Sequence, residues 1–400
     1  MERKTLRHLL IRLLLPLFGV VTGLGIAEAG LRLVERARAG EREAFSVKYL
    51  LKDAHLGHRL APGAKGHDAN GFRNDAVPAH ADLVALGDSQ TWGVNAERAE
   101  AWPQQLSKMS GRGVYNMGVS GYGPVQYWAL TGKALTFSPE VIVVGVYMGN
   151  DLYDAYKLAY TSDDYRDLRA AGAPPELYSE TVGSRADELW NEEKSFHQKF
   201  GRGDPGALWL WLGGHTAVGR LLNRAGWWPS KADVWFEASK AWAKAHPDHG
   251  AVYEEGGTRA VLTTAYRLTA LDLDDPRMAE GLRITCEVLP RIKDRAEAGG
   301  AKVLVLLIPT KEAVFAGASG GRGLDPVYER LVRMEGRARS AVAARCGRAN
   351  IECVDTLPAL VGAVRRGEEV YSPSAESHPK GGGYAVVASE ARRALARLGW

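Results

Sequence analysis

Gly87-Asp88-Ser89-Gln90-Thr91-Trp92-Gly93 follows directly on the apolar run at residues 83–86. A run that is this short and wholly apolar is typical of a strand buried in a parallel sheet. A serine at the turn between such a strand and the next helix presents its hydroxyl above the edge of the sheet, where backbone N–H groups can bind a developing oxyanion. The motif alone is weak evidence, because an Asp-Ser pair also caps many helices.

The alternation of short strands and longer helical segments continues along the chain. Apolar runs predict further strands at residues 114–119, 141–147, 303–308 and 351–354. Helical spacing of apolar residues is found at residues 97–110, 125–135, 281–298, 326–346 and 383–398. Continuous apolar strands separated by helices predict an α/β fold with a parallel sheet that is covered on both faces.

Polar residues follow two more of these strands, and a third polar group lies near the C-terminus. The second strand ends in NMGVSGYG, which includes Gly121, and a glycine there lets the backbone approach a ligand closely. Asn150 follows the third strand and supplies an amide donor at the same edge. A nucleophilic serine needs a base, and the base needs an orienting carboxylate. Glu376 and His378 lie on one loop and are candidates for these two roles.

These four blocks, in this order, resemble the SGNH (GDSL-type) hydrolase family from about residue 81 to residue 397. The resemblance implies a three-layer α/β/α sandwich with a flavodoxin-like parallel sheet, and neither a cofactor nor a metal. It implies Ser89 as the nucleophile, His378 as the base, and an oxyanion hole formed by Ser89, Gly121 and Asn150. The family's acid is usually an Asp two or three residues before the histidine. Position 375 is Ala here, so Glu376 is the residue that matches the acid.

The N-terminus has the features of a membrane-targeting segment. Four basic residues precede or border the uncharged run LLLPLFGVVTGLGIA at residues 13–27, which with residues 9–11 approaches the roughly 20 residues that span a bilayer. Because a basic leading end stays in the cytoplasm, we expect a single-pass anchor in the inner membrane with the catalytic domain in the periplasm. A second interpretation stays open. Ala27-Glu28-Ala29 has the small-x-small pattern of a signal-peptide cleavage site, and cleavage there would give a secreted or periplasmic protein.

A finer resemblance, to bacterial membrane-anchored members of the same family, favours a retained anchor. Those members carry segments like Glu28-Ala29-Gly30-Leu31-Arg32, Gly71-Phe72-Arg73 and Pro309-Thr310-Lys311-Glu312. Lys311 is interpreted either as a surface lysine or as a side chain that reaches the rim of the site. Asp151 is interpreted as a structural cap or as a hydrogen-bond partner of the serine loop, without a catalytic role.

The pattern divides the chain into five parts. A signal anchor occupies residues 1–40, a linker and lead-in 41–80, and the two parts of the catalytic domain 81–155 and 281–400. Between them, residues 156–280 are predicted as a mostly helical insertion. It holds seven tryptophans: Trp190, Trp209, Trp211, Trp227, Trp228, Trp235 and Trp242. They would stack on sugar rings or acyl chains if the insertion were a lid, but a core for the insertion itself is the favoured interpretation.

Composition and charge exclude other classes of protein. A net charge of +4, from 51 basic and 47 acidic residues, excludes a strongly basic nucleic-acid binder. Three cysteines exclude a disulfide scaffold and a four-thiolate zinc site, although Cys346 and Cys353 would be able to pair in an oxidising compartment. Four histidines precede the first strand without a metal-ligand spacing and are interpreted as solvated loop residues: His55, His58, His67 and His80.

The sequence therefore predicts a serine ester hydrolase that removes acetyl-like acyl groups from an extracytoplasmic carbohydrate or lipid ester. Two alternatives stay open. The same site would serve an O-acyltransferase that modifies cell-surface polysaccharide, and the fold would also suit a non-catalytic carbohydrate-binding protein. The substrate-binding residues, the acyl group and any protein partner are left open at this stage.

Overall fold

The computed structural model describes residues 19, 22–33, 49–178, 185–189, 191–192, 216–225, 227 and 231–400. The chain divides into two compact units, residues 1–42 with 196–238 and residues 43–195 with 239–400. Every residue predicted for the site belongs to the second unit. The five-part division made from the sequence stays a prediction.

The described part of the second unit contains nine strands. They are β1 Leu50–Asp53, β2 Gly57–Leu60, β3 Leu83–Gly87, β4 Val114–Asn116, β5 Val141–Tyr147, β6 Ala251–Glu255, β7 Thr258–Leu262, β8 Lys302–Ile308 and β9 Glu352–Asp355. Five of them are parallel and form one sheet in the order β4-β3-β5-β8-β9. The predicted α/β fold with a parallel sheet is confirmed. All of β5 and all but the first residue of β8 are buried, so the sheet is a rigid platform for the loops at its edge.

Twelve helices are labelled in the described residues of the two units. They are α1 Ser89–Trp92, α2 Trp102–Ser110, α3 Pro124–Leu135, α4 Asp151–Thr161, α5 Ala217–Arg224, α6 Lys231–Ala245, α7 Thr264–Thr269, α8 Pro276–Ala298, α9 Lys311–Ala318, α10 Pro326–Arg348, α11 Leu357–Arg365 and α12 Gly381–Arg397. Short 3-10 helices lie at Arg98–Glu100, Asp163–Leu168 and Pro175–Tyr178.

The direction of the crossovers places the helices in two layers. From β3 to β4 the chain moves toward one edge of the sheet, whereas β5, β8 and β9 follow toward the other edge. Right-handed crossovers then put the connecting helices on opposite faces. In agreement, α2 packs on α12, and α3, α4 and α8 pack on one another. The strand order reverses beside β3, and ligands of open parallel sheets bind at the carboxyl edge where the order reverses.

Two antiparallel hairpins were not predicted from the sequence. β1 pairs with β2 within the segment interpreted as a linker, and β6 pairs with β7 within the insertion, where no strand rhythm was recognised. The second hairpin turns at Gly256 and Gly257, whose φ angles are +59° and +79°. A two-residue hairpin turn of this kind requires positive φ at both positions. The Gly-Gly pair was therefore the feature of the sequence that could have predicted this hairpin.

The predicted membrane anchor lies mostly outside the described residues. Residues 22–33 are helical. Among the residues that the structure describes, no helix combines the length and the apolar character needed to cross a bilayer. The anchor at residues 1–40 stays a prediction.

Four of the seven insertion tryptophans also lie outside the described residues: Trp190, Trp209, Trp211 and Trp228. The side chain of Trp235 is likewise not described. Trp242 is buried, whereas Trp227 is 81% exposed. Trp242 is thus packed inside the protein and Trp227 is not, and a core formed by the insertion's own tryptophans stays a prediction. Cys346 and Cys353 are both free thiols.

Candidate active site

Ser89 begins α1, the single helical turn that follows β3. Two glycines make room for this turn. A Cβ atom at Gly87 would lie 2.0 Å from Thr91 Oγ1, and one at Gly118 would lie 2.5 Å from the backbone nitrogen of Trp92. Both separations are shorter than real atoms tolerate, so only glycine allows β3, α1 and the end of β4 to pack together. This packing holds Ser89 at the carboxyl edge of the sheet, where the residue is 8% exposed.

Arg73 fixes the other end of α1. Its guanidinium group donates hydrogen bonds to the carbonyl oxygens of Trp92 at 3.1 Å, Gly93 at 2.8 Å and Ala96 at 3.0 Å. Its Cζ also lies 4.0 Å from the ring centroid of Trp92. A cation at the C-terminus of a helix binds the carbonyls that lack helical partners. The Gly71-Phe72-Arg73 segment therefore has a physical role, which is to hold the turn that carries Ser89.

His378 joins Ser89 to Glu376. Its Nε2 lies 2.9 Å from Ser89 Oγ, and its Nδ1 lies 2.6 Å from Glu376 Oε1. Because an ionised carboxylate only accepts hydrogen bonds, Nδ1 carries the proton and Nε2 is free to accept the Ser89 hydroxyl. The backbone N–H of His378 donates to the same Glu376 oxygen at 3.0 Å. Glu376 thus sets both the position and the tautomer of the imidazole.

Glu376 is ionised at this site. Burial alone raises the pKa of its carboxyl group. The hydrogen bond from the His378 side chain, the charge of that ring, the His378 backbone N–H and the charge of Lys311 outweigh burial and lower this pKa to about 2. The carboxylate is therefore available as an acceptor throughout the neutral pH range.

A second carboxylate, Asp88, lies beside Ser89. Asp88 caps α1 by accepting the N–H of Gln90 at 2.9 Å, and its other oxygen lies 3.1 Å from Ser89 Oγ. Burial raises the pKa of Asp88 to about 6, although the Gln90 N–H and the charge of His378 act against this rise. The Ser89 hydroxyl thus has two acceptors within reach, and because it carries a single proton, Asp88 and His378 Nε2 compete for that proton.

Gly121 follows β4 with a φ of +79°, in the left-handed region that favours glycine. The carbonyl of Ser120 accepts a hydrogen bond from His58 Nε2 at 2.9 Å. The His58 ring packs edge-on against Tyr122, with centroids 5.1 Å apart. The Ser120 carbonyl and the Gly121 N–H belong to one planar peptide group, so His58 also fixes the direction of the Gly121 N–H.

Three donors therefore follow neighbouring strands at one edge. Within the described part of the chain, the N–H groups of Ser89 and Gly121 donate to no protein acceptor. The side-chain amide of Asn150 donates one hydrogen bond to Asp154, which leaves its second N–H for another acceptor. Burial raises the pKa of Asp154 to about 7, while the bond from Asn150 lowers it. Asp154 is thus the residue that orients the Asn150 amide.

Asp151 has a structural role in the same loop. Its carboxylate accepts hydrogen bonds from the Tyr127 hydroxyl at 3.0 Å and from the backbone N–H of Tyr147 at 3.0 Å. Asp151 is fully buried, and burial raises the pKa of its carboxyl group well above the ordinary value. These partners tie the start of α4 to the end of β5 and to α3.

The loop that carries Glu376 and His378 is closed by an isolated antiparallel bridge between Tyr371 and Pro379. The β6–β7 hairpin supports it from one side, because the backbone N–H of Val261 donates to the carbonyl of Pro373 at 2.9 Å. Arg267, on α7, donates to the hydroxyl of Ser377. The hairpin and α7 therefore brace residues 372–378, which we call the acid–base loop. Neither of these contacts was expected from the sequence.

Lys311 lies beneath the same loop and is 1% exposed. The interpretation as a surface lysine is wrong, because the residue is buried, whereas the second interpretation, a side chain that reaches the site, agrees with its contact to the loop that carries Glu376. Its Nζ donates to the carbonyl oxygens of Ser372 at 2.8 Å, Ser374 at 2.6 Å and Glu376 at 3.2 Å. The apolar strand β8 buries the start of α9, and a buried ammonium group must find acceptors there.

The histidines before β3 fall into two classes. His58 and His67 are packed rather than solvated, since His67 accepts the indole N–H of Trp92 at 3.2 Å. His55 and His80 have exposed side chains and lie beside Asp164 and Asp82. Among the described residues, no group of three or more His, Cys, Asp or Glu side chains is arranged to hold a metal ion.

Comparison with known proteins finds similarity in solved structures alone. No protein-family model and no curated protein sequence matches the chain. A lipolytic protein of the G-D-S-L family from Desulfitobacterium hafniense has 14% identity and a TM-score of 0.38, over 78% of this chain and 98% of that one.

Two further solved structures give similar values. A GDSL-like lipase from Bacteroides thetaiotaomicron has 12% identity and a TM-score of 0.33, over 79% of this chain and 88% of that one. An extracellular lipase from Streptomyces rimosus has 15% identity and a TM-score of 0.37, over 78% of this chain and 99% of that one. These three solved structures are thus described as lipolytic proteins or lipases, and each is only distantly similar to this chain.

Proposed function

We propose that this chain is a serine ester hydrolase of the SGNH type, which removes acetyl-like acyl groups from a carbohydrate or lipid ester. The observation that carries the proposal is the unbroken hydrogen-bond chain from Ser89 through His378 to Glu376, with distances of 2.9 and 2.6 Å. A nucleophile, a base and an orienting acid joined in this order activate a serine for attack on an ester.

In the first half of the reaction, His378 Nε2 accepts the Ser89 hydroxyl proton while Oγ bonds to the ester carbonyl carbon. The carbonyl π electrons move to its oxygen, which becomes an oxyanion. Glu376 remains ionised and stabilises the imidazolium that forms. The imidazolium then gives its proton to the leaving alcohol as the ester C–O bond breaks, and the acyl group stays on Ser89.

In the second half, water takes the place of the alcohol. His378 accepts a proton from the water as its oxygen attacks the acyl carbon, and the Ser89 Oγ–C bond then breaks. The proton returns to Oγ, so the products are a carboxylic acid and the free enzyme. If a sugar hydroxyl enters in place of water, the same steps transfer the acyl group.

The oxyanion of both steps is assigned to three donors, the N–H groups of Ser89 and Gly121 and the side-chain amide of Asn150. All three follow neighbouring parallel strands, and the two backbone groups have no other protein acceptor in the described residues. Donors that are already oriented stabilise a developing charge without reorganisation at the moment of reaction.

Replacing Asn150 by Ala is expected to lower kcat for an aryl acetate by about 10²- to 10³-fold, because one oxyanion donor is lost. KM should change little, since the neutral ester carbonyl gains less from this donor than the oxyanion does. Steady-state kinetics provide the measurement. Asn70→Ala is a matched control, because the Asn70 amide donates to Tyr115 and not to the site. A raised KM with an unchanged kcat would contradict the oxyanion assignment of Asn150.

The reaction class is tested by product analysis. The purified full chain is incubated with an aryl acetate and with an acetylated oligosaccharide, with and without an unacetylated acceptor saccharide. We expect free acetate from both donors, and the acceptor should not be required. Acetylated acceptor without free acetate would instead identify an acyltransferase, and saccharide binding without turnover of either donor would identify a binding protein.

The proposal includes a retained membrane anchor with the catalytic unit in the periplasm. Support comes from Glu28, whose carboxylate accepts the backbone N–H groups of Ala217 and Val218 at 2.9 Å each. A carboxylate at a helix N-terminus stabilises the helix. Cleavage after Ala29 would remove Glu28 and leave the N-terminus of α5 without this partner.

We therefore expect the mature protein to sediment with membranes and to keep residues 1–29. A C-terminal reporter that is active only in the periplasm should be active, because the basic N-terminus stays in the cytoplasm. N-terminal sequencing of the fractionated protein makes the measurement. A soluble exported product that begins at Gly30 would show that the signal-peptide interpretation is right.

A further inference from the structure

Lys311 meets the acid–base loop with a complete set of hydrogen bonds. An ammonium group has three donors, and its three partners are the carbonyl oxygens of Ser372, Ser374 and Glu376 at 2.8, 2.6 and 3.2 Å. Every second carbonyl of the loop therefore converges on one nitrogen. No donor of Lys311 is left for a substrate, so this residue does not act on the ester itself.

The loop has no regular structure that would fix these carbonyls otherwise. Between the bridge partners Tyr371 and Pro379, residues 372–378 form neither a helix nor a strand. A buried carbonyl without a donor is costly, and a loop avoids that cost by turning its carbonyls elsewhere. Lys311 removes this freedom at three positions, one of which is Glu376 itself.

The charge of Lys311 also supports the role of Glu376, because it favours the ionised carboxylate. Burial lowers the pKa of Lys311 to about 8, while the charges of Glu312 and Glu376 raise it. The positive charge of Lys311 in turn lowers the pKa of the Glu376 carboxyl group, which must stay ionised. Arg267, buried in the same region, is bound to Ser377 between Glu376 and His378.

We propose that Lys311 is a positioning residue, which holds the backbone of the acid–base loop so that Glu376 can keep the His378 imidazole aimed at Ser89. This inference rests on the proposed function, because it assigns a task to a residue behind the triad. Lys311 acts through Glu376 and touches neither the ester nor the oxyanion.

Replacing Lys311 by Met removes the donors and the charge but keeps an unbranched side chain. We expect kcat for an aryl acetate to fall by about 10²-fold, the effect of an ångström-scale misplacement of a catalytic group, with KM nearly unchanged. The rate at which a fluorophosphonate labels Ser89 should fall by a similar factor. Proton NMR should show a far-downfield His378 Nδ1–H signal in the wild type, identified by its change in Glu376→Gln, and this signal should be lost or moved upfield in Lys311→Met.

Two further variants make the experiment decisive. Lys302→Met is the matched control, because Lys302 also donates to a backbone carbonyl, that of Leu398 at 2.8 Å, on an exposed part of β8. It should keep wild-type kcat and the NMR signal. Lys311→Arg keeps the charge, but the N–H donors of a guanidinium lie in one plane on separate nitrogens, whereas the three carbonyls of the loop meet at one nitrogen, so its kcat should fall as well. It also provides the test if Lys311→Met does not fold.

The proposal is overturned if folded Lys311→Met keeps wild-type kcat and the downfield signal, or if Lys311→Arg is fully active. It is also overturned if Lys311→Met raises KM at constant kcat, since that would place Lys311 in substrate binding. Failure of the proposed function is a distinct result, because Ser89→Ala would then hydrolyse the ester as fast as the wild type.

Discussion

Ser89→Ala is expected to lower kcat for aryl-acetate hydrolysis by about 10⁴- to 10⁶-fold, which is the range found when a triad nucleophile is removed. The variant cannot form an acyl-enzyme, and the residual rate comes from the oxyanion donors and from binding. Substrate binding should persist, because the hydroxyl contributes to bond formation rather than to the pocket. Stopped-flow and steady-state kinetics with the same ester measure both quantities.

The free energy of unfolding should change little in this variant. Ser89 lies on the turn, and the cap of α1 is supplied by Asp88, which the substitution leaves in place. Ser110→Ala is the matched control, since the Ser110 hydroxyl donates to its own helix at Leu106 and is not part of the site. A Ser89→Ala protein with wild-type turnover would show that another nucleophile acts.

Glu376→Gln is expected to lower kcat by about 10³- to 10⁴-fold, less than the loss of the nucleophile. The neutral amide cannot stabilise the imidazolium, and if its NH₂ group faces Nδ1 it favours the wrong tautomer of His378. Ser89 should still react slowly with an activated acyl donor. The measurement is kcat of Glu376→Gln and of Ser89→Ala with the same aryl ester, and the two fold reductions are then compared.

Glu369→Gln is the control for this substitution. Glu369 lies near the same loop but pairs with Lys380 at an exposed position, so its loss should leave kcat unchanged. If Glu376→Gln were as active as the wild type, the site would work as a Ser-His pair, and Asp88 at 3.1 Å from Ser89 Oγ would be the remaining carboxylate near it.

The parts of the fold that the sequence predicts are those with local signals. β5 lies at the residues predicted for it, 141–147. A strand that is apolar on both faces is stable only where both faces are covered, as in a parallel sheet between helices. The Glu376–His378 contact is local as well, since the two residues are two apart and share one loop. Ser89, Gly121 and Asn150 come to one edge because each follows a parallel strand of the same sheet.

The contacts that sequence reasoning missed join residues that lie far apart in the chain. His58 reaches Ser120 across 62 positions, and Arg267 reaches Ser377 across 110. No periodicity or motif encodes such pairs, because packing of distant elements decides them. The hairpin strand β2 was missed for a different reason: its sequence, GHRL, has a single buried residue and so lacks the apolar pattern of a core strand.

Covalent labelling of the wild-type chain tests the central claim most directly. The full-length protein is treated with a fluorophosphonate, its intact mass is measured, and the modified peptide is sequenced. The account predicts one phosphonyl group per chain, located on Ser89, with no label in Ser89→Ala and slower labelling in Glu376→Gln. An unlabelled wild-type chain, or a label on a residue other than Ser89, would contradict it.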